Sequence, residues 1–208
     1  MLSNIPKQFL CIDGIPILIR SISAFIEYDH SINIVIVLPD EHIGKWEELC
    51  RNYHFNFPHS IAPAGETRFH SVKNGLKIIE ANDDLIAIHD SVRPLVSLKV
   101  IERVFYCAEI NGSAIPYINI YDSLRIIKNN STLPFDRDLV LSIQTPQCFR
   151  SKLLKKAYEQ DYSKSFTDDA TVVEKLGEEI HLVEGDLENI KITTPKDILI
   201  AEALLKRK

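Results

Sequence analysis

Apolar residues along this chain follow two periods in turn, and the alternation predicts strands interleaved with helices. Ile32-Asn33-Ile34-Val35-Ile36-Val37-Leu38 is a β-branched run stopped by Pro39, the pattern of a strand buried on both faces. Leu85-Ile86-Ala87-Ile88 repeats it in shorter form, and Phe55 to Ile61 is a weaker version. Helical spacing marks 15–28, with Pro16 in the first turn, and then 41–53, 67–80 and 97–110. This order predicts an α/β fold: a Rossmann-like, mostly parallel sheet with right-handed crossovers, flanked by helices.

The pattern breaks between Ala114 and Ile143. Extended stretches flank Asn129-Asn130-Ser131, which predicts a β-hairpin inserted over 116–142. A lone hairpin is marginal in water, so this one is expected to project as an arm and find its partner on a second subunit. Helices are then expected at 151–159 and 168–176, strands at 180–183 and 189–192, and a last helix from Pro195. The chain reads as one domain, 1–208, carrying the arm.

Composition narrows the function classes. The chain has 208 residues, 45% of them hydrophobic and 25% charged, as expected of a globular protein with a real core. A net charge of -5 supplies no basic field for nucleic acid. No apolar run approaches the ~18 residues of a membrane span and no signal peptide is evident, so a cytoplasmic location is expected. Cys11, Cys50, Cys107 and Cys148 lack zinc or redox spacing and are expected to be reduced and packed among apolar neighbours.

Candidate chemistry sits where strands end. Asp84 to Ile88 runs into His89-Asp90-Ser91-Val92-Arg93-Pro94. In open α/β sheets, ligands bind beyond the carboxyl ends of strands. A carboxylate and a cation three residues apart there suit an anionic substrate and its metal. The plainer reading is a turn capped by Asp90, with Arg93 at the surface. Ala64-Gly65-Glu66-Thr67 is a glycine turn ahead of a helix, where backbone N–H groups meet a nucleobase or phosphate, or where Thr67 simply caps. Gln144-Thr145-Pro146-Gln147 is a polar strand exit, and Ser165 to Ala170 opens a helix with hydroxyls and carboxylates. Lys191, inside the apolar run 189–192, either faces solvent at an edge or serves a site that needs a cation.

In this order, eight segments resemble the 2-C-methyl-D-erythritol 4-phosphate cytidylyltransferase family over essentially the whole chain. They are Pro6-Lys7-Gln8-Phe9, the glycine turn with Arg68 and Ser71, His89 to Pro94, Asp122-Ser123, Asp136-Arg137, Gln144 to Gln147, Thr167-Asp168 and Asn189 to Thr193. The ribitol-5-phosphate cytidylyltransferases share most of them. The resemblance implies transfer of a cytidylyl group from CTP to methylerythritol phosphate, releasing diphosphate. It also implies Mg2+ as cofactor, a homodimer joined through the arms, and a place in non-mevalonate isoprenoid precursor synthesis. By the same resemblance, Lys7 and Lys191 are the catalytic cations. Gly65, Glu66, Ser71 and Ser91 face CTP. Asp90, Arg93, Ser123, Arg137, Thr145, Thr167 and Lys191 face the sugar-alcohol phosphate, with Ser123 and Arg137 reaching across the dimer. Asp90 is the implied metal ligand, Arg68 braces the glycine turn, and His89 shapes the strand exit.

One departure carries an expectation of its own. The family pattern places a strand and a glycine-rich, arginine-bearing loop ahead of Lys7, whereas Met1 stands where that motif ends. A chain without that central strand is expected to have unpaired backbone groups and a gap in its core, to bind CTP poorly and to turn over slowly. Ribitol 5-phosphate as acceptor, and a non-catalytic sugar-phosphate-binding dimer partner, are the alternative readings.

Overall fold

Pro16 is the N-cap of the first long helix, so that helix starts two residues later than its spacing predicts. Before it, a 3-10 turn at Lys7–Phe9 buries Phe9 and leads into a two-residue ladder, β1 (Cys11–Ile12) with β2 (Ile15–Pro16). Asp13 and Gly14 turn that ladder at positive φ. The structure, a computed structural model, describes residues 5–80 and 84–207; Met1, on which the expectation about the start rests, lies outside them.

From there the elements follow in the predicted order. They are α1 (Ile17–Tyr28), β3 (Ile34–Leu38), α2 (Asp40–Asn52), β4 (His59–Pro63), α3 (Arg68–Ile78), β5 (Leu85–Ile88) and α4 (Leu98–Asn111). Gly112, at φ 87, ends α4 in the left-handed conformation that glycine adopts without strain. Then come β6 (Ser113–Asn119), β7 (Leu124–Lys128), β8 (Ser131–Phe135), β9 (Leu141–Ile143), β10 (Gln147–Arg150), α5 (Ser151–Ala157), α6 (Asp169–Glu174), β11 (Leu182–Glu184) and α7 (Pro195–Leu205).

The sheet departs from the parallel expectation around its centre. Its order is β11-β6-β10-β5, with β9 also on β6. β11 runs parallel to β6 and β3 parallel to β4, but β10 is antiparallel to both β5 and β6. After β6 the chain returns through a hairpin, not a helical crossover, and β9 accordingly comes back antiparallel. β7 and β8 form that hairpin, turned by Asn129 and Asn130 at φ 47 and 62. Both strands are mostly exposed, with Ile127 at 80%.

Two further expectations are corrected. Residues 189–192 are not a strand, because their N–H groups bond elsewhere: Asn189 N to Asp186 O at 3.1 Å and Ile192 N to Val92 O at 2.9 Å. Cys11 is exposed, since its place in β1 turns it outward, whereas Cys148 is buried and desolvation pushes its thiol pKa up.

Among the described residues, β3 pairs only with β4 and β5 only with β10. A groove of about 1000 Å3 lies between them, lined by Ile36, Leu38, Ile86 and Ile88 and backed by Leu18 and Phe25. One core cluster builds on Trp46 and α1, and another on Phe149 between α5 and α6, so the strand exits are held by packed layers on either side.

Candidate active site

β5 delivers its carboxyl end into a turn closed by Arg93 N donating to Asp90 O at 3.0 Å. Arg93 Nε then lies 3.2 Å from Asp90 Oδ2, and Lys191 Nζ reaches the same oxygen at 2.9 Å. Lys191 therefore sits on neither a strand nor a strand edge: the loop after β11 brings its ammonium to the end of β5. Arg93 Nη1 also donates to Asn189 O at 2.7 Å, which fixes that loop against the turn. Desolvation raises the Asp90 pKa, but Lys191, Arg93 and Arg68 outweigh it, and the carboxyl titrates below its ordinary value. Two cations against one carboxylate leave a local excess of positive charge, suited to a phosphate.

Thr145 joins this cluster through its hydroxyl. Asp90 N donates to Thr145 Oγ1 at 3.0 Å, and the same oxygen lies 3.0 Å from His89 Nδ1. His89 Nε2 lies 3.0 Å from Arg93 O. Desolvation, the largest influence on this imidazole, pushes its pKa down to about 4, so it is neutral near pH 7. Asn189 Nδ2 donates to Thr145 O at 2.9 Å, tying three loops into one unit, while its buried Oδ1 has no hydrogen-bond partner among the described residues.

The glycine turn is a second unit. A Cβ on Gly65 would collide with His70 Cβ, so only glycine lets the turn close onto α3. Ser71 Oγ accepts from Gly65 N at 3.0 Å, and Thr67 caps α3. Arg68 forks onto the fully buried Asp169 carboxylate, with Nη1 2.8 Å from Oδ1 and Nη2 on Oδ2. Tyr158 Oη donates to Asp169 Oδ1 at 2.6 Å. Desolvation lowers the Arg68 pKa, Asp169 raises it, and the net value lies above the ordinary one. Gln147 Oε1 accepts from the N–H groups of Asp169 and Ala170, and its Nε2 donates to Asp168. The bracing expected of Arg68 thus has a partner on α6.

Asp169, Gln147 and Asn189 are polar residues that sequence reasoning passed over as site-builders. Each lies inside a segment already singled out. Nothing local distinguishes Asp169 from an ordinary acidic first-turn residue, because its partner is 101 positions away.

Other predicted residues lie outside these clusters. Lys7 is half-buried in the 3-10 turn that precedes β1. Glu66 and Thr167 are exposed, and Thr167 N donates to Thr171 Oγ1. The Ser91 carbonyl accepts from Ser21 Oγ at 2.9 Å. Ser123 is exposed just ahead of β7, and Arg137 borders a surface pocket of about 330 Å3 with Asn119, Tyr121 and Val140. No three metal-ligating side chains cluster among the described residues. Mg2+ takes one or two carboxylates beside waters and substrate phosphates, and Asp90 offers one carboxylate at the strand exit.

Comparison with known proteins agrees with this geometry. Residues 1–207 match the family model for 2-C-methyl-D-erythritol 4-phosphate cytidylyltransferase. The chain is 46% identical over 203 residues to the protein of that name from Bacteroides thetaiotaomicron, covering 98% of this chain and 92% of the relative. It is 43% identical over 201 residues to the one from Porphyromonas gingivalis, covering 96% and 89%. The crystal structure of the Thermus thermophilus enzyme of that name superposes with a TM-score of 0.81 at 28% identity, over 97% of this chain and 94% of that one. The 4-diphosphocytidyl-2C-methyl-D-erythritol synthase of Anaerococcus prevotii gives 0.84 at 26%, over 99% and 92%. Matched by that family model over residues 1–207 and 46% identical to a relative over 98% of its length, the chain belongs to the 2-C-methyl-D-erythritol 4-phosphate cytidylyltransferase family.

Proposed function

We propose that this chain transfers the cytidylyl group of CTP to 2-C-methyl-D-erythritol 4-phosphate, giving 4-diphosphocytidyl-2-C-methyl-D-erythritol and diphosphate. The observation that carries the reading is the meeting of Arg93 and Lys191 on one oxygen of Asp90 at the end of β5. In this reaction a phosphate oxygen of the acceptor attacks the α-phosphorus of CTP in line, that bond forms as the bond to the β-phosphate bridging oxygen breaks, and diphosphate departs. No enzyme nucleophile is required, so catalysis rests on positioning and on stabilising charge at the α-phosphate.

Lys191 supplies that charge, because its ammonium is half-exposed and its long stem can follow the phosphate. Arg93, anchored on Asn189 O, holds its guanidinium as a fixed fork toward the acceptor. Asp90 would hold Mg2+, which when bound neutralises the diphosphate leaving group. Gly65 and Glu66 present the backbone of the glycine turn to cytosine, with Ser71 fixing the turn and Ser91 facing the nucleotide. Lys7 flanks the triphosphate. Thr167 lines the acceptor side, and Ser123 and Arg137 serve the acceptor phosphate of a neighbouring subunit through the exposed hairpin.

The relatives named above bear the methylerythritol activity in their names, and nothing in them favours ribitol 5-phosphate or a non-catalytic role. The test is to incubate the protein with CTP, Mg2+ and either methylerythritol phosphate or ribitol 5-phosphate, and follow the diphosphate-bridged product by 31P NMR. Product from methylerythritol phosphate at a rate at least tenfold above ribitol 5-phosphate is expected. The reverse preference, or binding of acceptor with no product, overturns the reading.

A further inference from the structure

The loop that carries Lys191 hangs between two fixed points, and one of them is a buried side chain to which the reaction above gives no role. Gln144 follows β9, and its N–H donates to Pro116 O on β6 at 2.8 Å, so its backbone belongs to the sheet. Its amide meets the main chain of Asp186 in both senses. Nε2 donates to Asp186 O at 2.8 Å, and Oε1 accepts from Asp186 N at 3.2 Å. A carbonyl only accepts and an N–H only donates, so this pairing fixes which end of the amide points where. Nε2 also lies 3.5 Å from Asn189 O, and Oε1 accepts from Asn189 Nδ2 at 3.4 Å. The approach is close enough to dictate residue 185. A Cβ on Gly185 would stand 2.5 Å from Gln144 Oε1 and 2.9 Å from Tyr117 O, and the second of these is backbone that cannot swing aside.

Downstream the loop is caught again, where Ile192 N donates to Val92 O at 2.9 Å and the Ile192 side chain is fully buried. Lys191 stands just ahead of that second point, with its Nζ 2.9 Å from Asp90 Oδ2. We propose that Gln144, with Gly185 making room for it, is a positioning residue for Lys191. It sets the height of the loop over the strand exit, and so the place of the ammonium, without touching either substrate. Both amide protons and both lone pairs of Gln144 face Asp186 and Asn189, and the residue is 3% exposed, so it has nothing left to offer a ligand. The inference rests on the role proposed above for Lys191, whereas the clasp on Asp186 stands on geometry alone. Simple packing of Gln144 would lower stability with no special link to Lys191.

Two measurements test this. The first needs no substrate. Gln144→Met keeps the length of the side chain and removes both halves of the clasp. Amide hydrogen exchange at Asp186 and Asn189 is expected to quicken at least about tenfold, while β10 keeps its protection. Unchanged exchange at both residues, or an equal loss of protection in β10, would overturn the clasp. The second is kinetic. Gln144→Met is expected to lower kcat about 10- to 100-fold with the KM values for CTP and acceptor within about threefold, since a misplaced charge acts on the chemical step. In a Lys191→Met background the same change is expected to cost less than about threefold more, because no ammonium is left to misplace. Gly185→Ala, which pushes the loop from the other side, is expected to behave alike and serves should Gln144→Met not fold. A raised KM at unchanged kcat, or the full loss repeated in the Lys191→Met background, would overturn the inference. A parent chain that makes no product would overturn the function proposed above, and the exchange result would still decide the clasp.

Discussion

Among single residues, the charges explain the most. Lys191 and Arg93 share Asp90 Oδ2, which leaves the cluster with one cation in excess. Replacing Lys191 by Met is expected to lower kcat by about 10²- to 10³-fold, the usual effect of removing one charge-stabilising donor. Turnover within threefold of the parent would remove Lys191 from the mechanism. Arg68 is a different case, because its partner Asp169 is fully buried. Arg68→Met strands that carboxylate, and urea unfolding is expected to show a loss of about 3–5 kcal/mol. A loss below about 1 kcal/mol would mean that Asp169 finds another partner. Asp90 and Arg93 stood out in the sequence because charged groups at the end of an apolar strand demand an explanation, whereas Lys191 reaches them from a loop that was read as a strand. Asp169 and Gln147 were not, since a long-range buried network leaves no trace in local spacing.

For the helices and buried strands, the sequence was legible because burial imposes their periods, while boundaries moved, as at Pro16 and in the strand expected over 55–61, which forms at His59–Pro63. The segment 189–192 failed because an apolar run was read as a ladder when its N–H groups serve the turn of Val92 instead. Just beyond it, α7 opens with a capping box between Thr194 and Asp197. Asp197 Oδ2 accepts from Thr193 N, Thr194 N and Thr193 Oγ1 at 2.7–2.9 Å, and the backbone bond from Thr193 is the main cause that holds its pKa at about 2. A carboxyl depressed in the folded state contributes stability that is fully present above its unfolded pKa and is lost as pH falls through the folded one. This cap is therefore expected to weaken from about pH 4 down to about pH 2, with α7 amides exchanging faster in that window. Asp197→Ala is expected to cost about 1 kcal/mol at pH 7 and to flatten that dependence. A variant as pH-sensitive as the parent would place the effect elsewhere.

Across the molecule, the α/β class followed from the alternation of elements, but strand direction did not. β10 turned out antiparallel because the connection after β6 is a hairpin, and residue patterns on a buried strand are the same in either direction. That hairpin exposes Ile126 and its cross-strand partner Leu133 on one face and Ile127 on the other. If the arms join two subunits and bring Arg137 to a neighbour's acceptor, Ile127→Asp is expected to give monomers by light scattering and to raise the acceptor KM at least tenfold. A variant that remains dimeric with an unchanged KM would exclude the arm as the contact.

Cytidylyl transfer at the Asp90–Arg93–Lys191 cluster is the claim on which the rest depends. The most direct measurement is diphosphate release from CTP and Mg2+ with methylerythritol phosphate, by the parent chain and by Lys191→Met. Acceptor-dependent release by the parent, lowered at least 100-fold in the variant at unchanged stability, is the predicted result. Equal release by both, or none by a folded parent, would contradict it.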